Sequence, residues 1–307
     1  MEGFPLGILL KSGFGVRPSG FGHPAPADET RMRRRHGVGE SRRPNTEPRL
    51  LAILLLAVLL PSVGWGGCKE ESFTRRFLSP PSAYAAQSNA TLKYFGHNFF
   101  QIVTSKGTKI VTDPLAPGWY PPPSLAAHVV TIGREHMNHN WVPIVGGRPM
   151  ILRGLKDTED GWDWRKIRTQ IKDALIYNVP IYNVRRNGDI TKGAAFVFDL
   201  GVLCIVHLGD LSHELSPKLL KAIGKPDIVL VPIGGGTTMD ADTAQKVIRQ
   251  LNPKLAIPMH YRDDLDRVRR FATGFPVKYL EKNVFEVRKA ALPAKTEIVV
   301  MGYPGAP

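Results

Sequence analysis

A chain of 307 residues can hold two average domains or one large one. With 43% apolar and 22% charged residues it can bury a substantial core, which excludes wholesale disorder. The net charge is +14, and residues 1–68, with nine Lys and Arg against five Asp and Glu, carry only part of it. The basic balance therefore extends into the part that reads as folded, and it favours an anionic partner: a phosphorylated or carboxylated small molecule, a nucleic acid or an anionic membrane surface. The plainer reading is that the charge serves solubility.

The first ninety residues concern address. Residues 1–49 read as a disordered basic segment, Gly/Pro-rich at first; Met32 followed by Arg33, Arg34 and Arg35 makes a more ordinary start, which leaves 1–31 as a candidate artefact of start-site choice. Leu50 to Leu60 is eleven apolar residues closed by Pro61, the length of a secretory hydrophobic region and short for a membrane span. Small residues follow and end in Gly66-Gly67-Cys68, so 50–68 resembles a lipoprotein signal in which Cys68 is lipidated and 69–89 is a linker. This implies an exported bacterial envelope protein, either membrane-anchored through lipidated Cys68 or a signal anchor, or periplasmic. The pair Arg42-Arg43 raises twin-arginine export, but the apolar residues expected after it are missing. Neither Cys68 nor Cys204 has the company of a structural zinc site or a disulfide framework, and Cys204, inside Val202-Leu-Cys-Ile-Val206, reads as a small core hydrophobe.

The folded domain is expected over 90–303. Leu92 to Gly96, Phe99 to Thr104 and Lys109 to Asp113 read as short strands, the last two joined by a turn at Ser105-Lys-Gly107. The Pro-rich stretch 114–123 is a loop, and Ala127 to Ile132 a strand. Pro149 to Arg153 is a further strand, 155–165 a loop, and Trp162 to Asn183 alternates in the manner of strands. Ala194 to Phe198 and Val202 to His207 form a hairpin. Ser216 caps a helix with Pro217 at its first position, and Asp227 to Pro232 is a strand buried on both faces. Asp240 or Asp242 caps a helix to Leu251, Leu255 to Pro258 is a strand, and a helix near 264–272 and strands near 284–288 and 296–301 complete the order. A β-meander half followed by a half of alternating strands and helices is an α/β sandwich, not a doubly wound nucleotide-binding sheet.

Polar, metal-ligating residues recur where these strands end. Thr131-Ile-Gly-Arg-Glu-His-Met-Asn-His-Asn140 carries His136 and His139; Asp210 follows the strand ending at His207, and His260 follows the one ending at Pro258. Loops at one end of a sheet converge, so His139, Asp210 and His260 can share a site, and imidazole with carboxylate suits zinc, manganese or iron. His207 and His213 flank the Asp210 loop and are read as orienting it, and the three glycines 234–236 as a turn beside the site.

Six segments in order, Phe95-Gly-His97, Thr112-Asp-Pro114, the Thr131–Asn140 stretch, His207-Leu-Gly-Asp-Leu211, Val231-Pro-Ile-Gly-Gly235 with Thr238-Met-Asp-Ala241, and Ile257-Pro-Met-His-Tyr261, resemble the metallo-β-lactamase fold superfamily. They are closest to the branch with lactonases and phospholipase D-like enzymes acting on N-acyl phosphatidylethanolamine. The resemblance implies a four-layer αβ/βα sandwich with metals at the sheet edges and a His-x-His-x-Asp-His motif. Here that motif reads Arg134-Glu-His136-Met-Asn138-His139, and Asn183 falls where a further His is expected. His97 resembles a family residue near the site, with a simple loop hydrogen bond as the plainer role, and Asp113 one that braces the metal loop.

The first metal position would keep His136, a share of Asp210 and two poor members, Arg134 and Asn183, since a guanidinium has no lone pair to give. The second would keep His139, His260 and Asp210, with Asn138 as a weak fourth ligand. Two readings follow. One is a hydrolase with at most one zinc or manganese ion, acting on an ester, lactone or phosphodiester of an anionic small molecule or lipid, with Asp210, His136 and Asn138 as its catalytic residues. The other is an inactive, metal-free binding or scaffold protein in which Arg134 replaces the first metal. A nucleic-acid partner is disfavoured, because there is an export signal and no basic stripe interleaved with aromatics.

Overall fold

The computed structural model describes Cys68, residues 89–185 and residues 187–303. The basic segment 1–49, the signal segment up to Gly67 and the linker up to Ser88 lie outside the described residues.

In chain order the elements are β1 (Ala90–Tyr94), β2 (Phe100–Thr104), β3 (Lys109–Thr112), β4 (Leu125–Ala126), β5 (Val129–Ile132), β6 (Val145–Gly146), β7 (Met150–Arg153), β8 (Leu155–Thr158), β9 (Gly161–Trp164), β10 (Arg168–Ile171), β11 (Ala174–Val184), β12 (Ile190–Asp199) and β13 (Cys204–His207). Then follow α1 (Pro217–Ile223), β14 (Ile228–Pro232), α2 (Ala241–Leu251), β15 (Leu255–Met259), α3 (Leu265–Ala272), β16 (Val277–Leu280), β17 (Val284–Val287) and β18 (Glu297–Met301).

A six-stranded sheet, β17-β1-β2-β3-β5-β7, stands against an eight-stranded sheet, β10-β11-β12-β13-β14-β15-β18-β16. Between them Leu92, Phe100, Ile102 and Ile110 of the first sheet meet Ile176, Phe196, Phe198 and Ile205 of the second. The alternation within β14 shows how a strand serves two layers: Ile228 and Leu230 enter this core, while Val229 and Val231 face the helices on the other side with Val247, Ile248 and Phe271. This is the expected α/β sandwich. The layer outside the six-stranded sheet is loop among the described residues: Leu115 and Tyr120 of the Pro-rich stretch and Val142 of a 3-10 turn cover Phe99, Val111, Val130 and Ile132.

Helix ends follow local chemistry. Ser216 Oγ accepts from the Leu219 N–H at 3.3 Å with Pro217 next in line, and Asp240, not Asp242, caps α2 by accepting from Thr243 N–H at 2.8 Å. The sequence reading of 155–165 as a loop is corrected: it is the β8–β9 hairpin, turning at Glu159-Asp160 with Gly161, the first residue of β9, at φ 98°. Its largely exposed residues gave no buried face for periodicity to reveal. The edge strand β16, also largely exposed, was missed for the same reason.

The reading of the cysteines is corrected too. Cys68 and Cys204 form a disulfide across 136 residues of sequence, both sulfurs buried, and the Cys68 carbonyl accepts from Lys225 N–H at 3.0 Å. Cys204 is therefore not an unpaired core hydrophobe, and a sulfur spent in a disulfide cannot also carry the thioether of a lipid. Two cysteines so far apart leave no spacing to read, because only the folded sheet brings them together. Among the described residues no helix is long and apolar enough to cross a membrane.

A cross-link closing so long a loop contributes about 4–5 kcal/mol in the chain-entropy account. Unfolding monitored with and without a reductant should show a clearly lower midpoint in the reduced protein. Thiol titration of the unreduced, denatured chain should find no free thiol.

Candidate metal centre

Every candidate residue sits just past the end of a strand. His97 and Asn98 lie in the turn between β1 and β2, Asp113 follows β3, Arg134 to His139 follow β5, Asn183 ends β11, Asp210 follows β13 and His260 follows β15. The backbone there is unusual. Of seven non-glycine residues with positive φ among the described residues, five are His97 (54°), Asp113 (39°), His260 (60°), Arg262 (48°) and Asp263 (62°). Such conformations cost about 1–3 kcal/mol each and persist only where surrounding contacts over-determine them. Those contacts are present: the His97 carbonyl accepts from Tyr94 Oη and from the His260 N–H, both at 3.1 Å. Glycine is needed at Gly234, where a Cβ would lie 2.0 Å from the His260 carbonyl oxygen.

Three buried imidazoles meet in this corner. His97, His139 and His260 each offer a nitrogen, and these nitrogens all lie within 4.8 Å of one another. The His97 and His260 rings are 4.0 Å apart, and His97 and His139 5.0 Å. Neither ring nitrogen of His97 has a hydrogen-bond partner among the described residues. A buried polar atom left without a partner costs about 1–3 kcal/mol, so two on one ring point to something it is there to hold.

Beside the imidazoles lies Asp210, 3% exposed. Its Oδ1 accepts from Asn98 Nδ2 at 2.8 Å and lies 3.7 Å from His260 Nε2; its Oδ2 lies 2.5 Å from Arg134 Nη1 and 3.3 Å from His139 Nε2. The other nitrogen of His139 is 3.1 Å from Asp113 Oδ2, while Asp113 Oδ1 accepts from Gly133 N–H at 2.7 Å. Asp113 thus braces both the loop and the ring, the arrangement that orients a metal-bound histidine.

The charges follow from this packing. Burial pushes the His97 pKa well below the usual imidazole value, helped by His260 and His139, and burial also lowers His260 against the pull of Asp210. Burial would lower His139 too, but Asp210 and Asp113 together outweigh it and push its pKa up to about 9. Burial would raise Asp210, yet His139, His260 and Arg134 hold it well below the ordinary carboxylate range. Without a cation the site is therefore two neutral imidazoles and one imidazolium held between two carboxylates. A divalent cation needs the lone pair that the proton on His139 Nε2 occupies, so its binding releases a proton. The residues fit such a group: three imidazole nitrogens and an adjoining carboxylate suit zinc or manganese.

Of the residues expected from sequence, the structure brings His139, Asp210 and His260 together. His136 is left beside them, its ring 6.3 Å from that of His139 but outside the cluster of nitrogens, and Asn138 is not brought to them. His136 is exposed at the crest of the loop, where its carbonyl accepts from His139 N–H at 2.7 Å and its Nδ1 from Asn138 N–H at 3.3 Å. Burial, then Arg134 and His139, lowers its pKa. Asn183 is buried, and its amide donates to the Asp210 carbonyl at 3.3 Å and to the Thr237 carbonyl, so it braces the Asp210 loop. Arg134 lies on Asp210. His207 spans Asn98 O at 3.0 Å and Gly209 N–H at 3.2 Å, and His213 accepts from Tyr182 N–H at 3.3 Å. Sequence reasoning left His97 outside the ligand set, since a lone histidine in a tight turn carries no spacing signal; its resemblance to a family residue near the site was the hint.

Comparison with known proteins agrees with this geometry. A protein-family model described as a β-lactamase superfamily domain matches residues 91–260. A UPF0173 protein of Pyrococcus furiosus is 31% identical over 183 residues, which are 54% of this chain and 80% of the relative. A UPF0173 metal-dependent hydrolase of Polynucleobacter asymbioticus is 26% identical over 69% of this chain and 84% of its own length. Among solved structures, a Thermotoga maritima protein for which a zinc-dependent hydrolase of the metallo-β-lactamase superfamily has been suggested is 30% identical. It covers 70% of this chain and 99% of its own, with a TM-score of 0.55.

Removing the carboxylate should be costly. Asp210→Asn leaves Arg134 and protonated His139 without their buried counter-charge and should lower the unfolding free energy by about 3–5 kcal/mol, measured by urea denaturation. The pH dependence of the chelated protein should carry the mark of His139. Its folded pKa lies above its unfolded one, so its contribution to stability is full below about pH 6.5 and is lost as pH rises through about 9. The urea midpoint should fall across that window, and the fall should shrink in His139→Gln.

Proposed function

The chain belongs to the UPF0173 family of the β-lactamase superfamily, and from that premise we propose that it is a metal-dependent hydrolase working with one divalent cation, zinc or manganese. The observation that carries this reading is the buried meeting of His97, His139 and His260, with both nitrogens of His97 unpartnered among the described residues. These three imidazoles and Asp210 would hold the cation. The substrate class that fits is an ester, lactone or phosphodiester of an anionic small molecule or lipid, in keeping with the net charge of +14.

When bound, the cation supplies Lewis acidity, which brings the acidity of water into the neutral range, to a pKa of about 7. The chain's own residues do the rest. Asn98 holds Asp210 Oδ1 by donating from Nδ2, so the carboxylate cannot rotate away from His260. Asp113 keeps a proton on His139 Nδ1, which leaves Nε2 as the nitrogen that faces Asp210 and the site. The motif position that is Asp in the family is Asn138 here, and Asn138 cannot accept a proton. In our reading His136, exposed beside the site and with its pKa lowered, is a neutral imidazole: its Nδ1 accepts from Asn138 N–H, so its Nε2 carries the ring proton and serves as a hydrogen-bond donor to the substrate.

A second reading has one observation in its favour. Arg134 lies 2.5 Å from Asp210 and supplies positive charge where a first metal would otherwise supply it, as a metal-free binding protein would need. The compartment is a proposal as well: the apolar run 50–60 and the Cys68–Cys204 disulfide both suit an exported protein of the bacterial envelope.

Elemental analysis of protein purified without chelator or metal-affinity resin separates the two functional readings. The hydrolase reading expects about one equivalent of zinc or manganese per chain, falling at least severalfold in His97→Ala, His139→Ala and His260→Ala, the three proposed imidazole ligands. His136→Ala should keep its metal and lose activity. Metal-free protein that stays metal-free on titration with zinc would support the binding-protein reading.

A further inference from the structure

The guanidinium on Asp210 has work left to do. Arg134 uses one Nη1–H to meet Asp210, and its side chain is 14% exposed; no other hydrogen-bond partner for its remaining donors occurs among the described residues. A second arginine, Arg185, lies just past the end of β11. Asn183 aims its amide at the Asp210 carbonyl, and Arg185, two positions on, shares that side of the chain by strand alternation, as the backbone pairing of Arg185 N–H with Asp189 O at 2.8 Å carries the hairpin forward. Its Nε is buried with no partner among the described residues. Both guanidinium groups lie close enough to His136 for their charge to act on it. The carboxylate of the same loop, Glu135, is engaged elsewhere, accepting from Asn140 Nδ2 at 3.1 Å and from Arg153.

We propose that Arg134 and Arg185 form an oxyanion cradle that holds a phosphoryl or carboxylate group of the substrate beside the three-histidine cluster. This deepens the hydrolase reading by naming what the substrate presents, and it stands on the arginines rather than on a cation. A guanidinium offers five N–H donors in a planar fork that matches the two oxygens of a phosphoryl or carboxylate group. Asp210 takes one edge of the Arg134 fork and holds it in place, which leaves the outer edge for the ligand. The buried Arg185 Nε–H, otherwise left without an acceptor, gains one when the anion arrives. The two groups are specificity residues: they select a substrate with an anionic oxygen next to its scissile bond.

Isothermal titration calorimetry of the full chain with inorganic phosphate, and separately with acetate, tests this at constant ionic strength. Saturable binding of at least one anion is expected, weakened about tenfold or more in Arg185→Gln and in Arg134→Lys, which keeps a cation on Asp210 but removes the fork. Preference between the two anions then tells a phosphoryl from a carboxylate substrate. The same samples are assayed for metal and titrated again after chelation, and arginine-dependent binding should survive the loss of metal. Binding of neither anion, or equal binding by wild type and both variants, overturns the proposal. Metal present with arginine-independent anion binding would sink the cradle and leave the hydrolase reading standing; arginine-dependent binding to a chain that takes up no metal would do the reverse.

Discussion

Everything in the site leans on one buried carboxylate. Asp210 meets Asn98, His139, His260 and Arg134, and it is the buried counter-charge to Arg134 and to protonated His139. A charge with 3% exposure is tolerable only when paired and hydrogen-bonded, and here the pairing is overfull, which holds the Asp210 pKa well below its usual range. The same overfull pairing sets the state of the histidines. His139, caught between Asp210 and Asp113, keeps its proton, while His97 and His260, farther from negative charge and equally buried, do not.

That asymmetry gives the centre two unlike halves. On one side an arginine carries permanent positive charge and cannot be displaced by deprotonation. On the other a histidine carries a proton that can leave. In the proposed reading a cation enters on the histidine side, at the expense of that proton, while the arginine side meets the substrate's anion. Strained backbone at His97, Asp113 and His260 holds the two halves at close range, and the hydrogen bonds that Tyr94 Oη and His260 N–H donate to the His97 carbonyl keep that strain in place.

Much of this was legible in order along the chain. Alternating apolar residues located the strands, Ser216 and one of Asp240 and Asp242 marked helix starts, and imidazoles or carboxylates at strand ends marked His139, Asp210 and His260 as a convergent group. Reading failed where the signal is not local. Residues 155–165 and 277–280 are strands with little buried face, so periodicity had nothing to register. His136 and Asn138 matched a linear motif, yet the loop 133–140, held at Gly133 N–H by Asp113 and at Asn140 by Glu135, leaves His136 exposed with its ring 6.3 Å from that of His139.

By itself the sequence determined the sandwich, the family and the loss of two motif members, Arg134 and Asn138, because residue identity and hydrophobic period are properties of neighbours in the chain. The tertiary structure decided which imidazole nitrogens converge: those of His97 join His139 and His260, while His136 stays beside the cluster with its ring 6.3 Å from that of His139. It also joined Cys68 to Cys204 and turned Asn183 into a brace for the Asp210 loop. The physical reason is common to all three. Each depends on the distance between atoms carried by strands far apart in sequence, and that distance is set by sheet register and the packing of two sheets, which no spacing along the chain encodes.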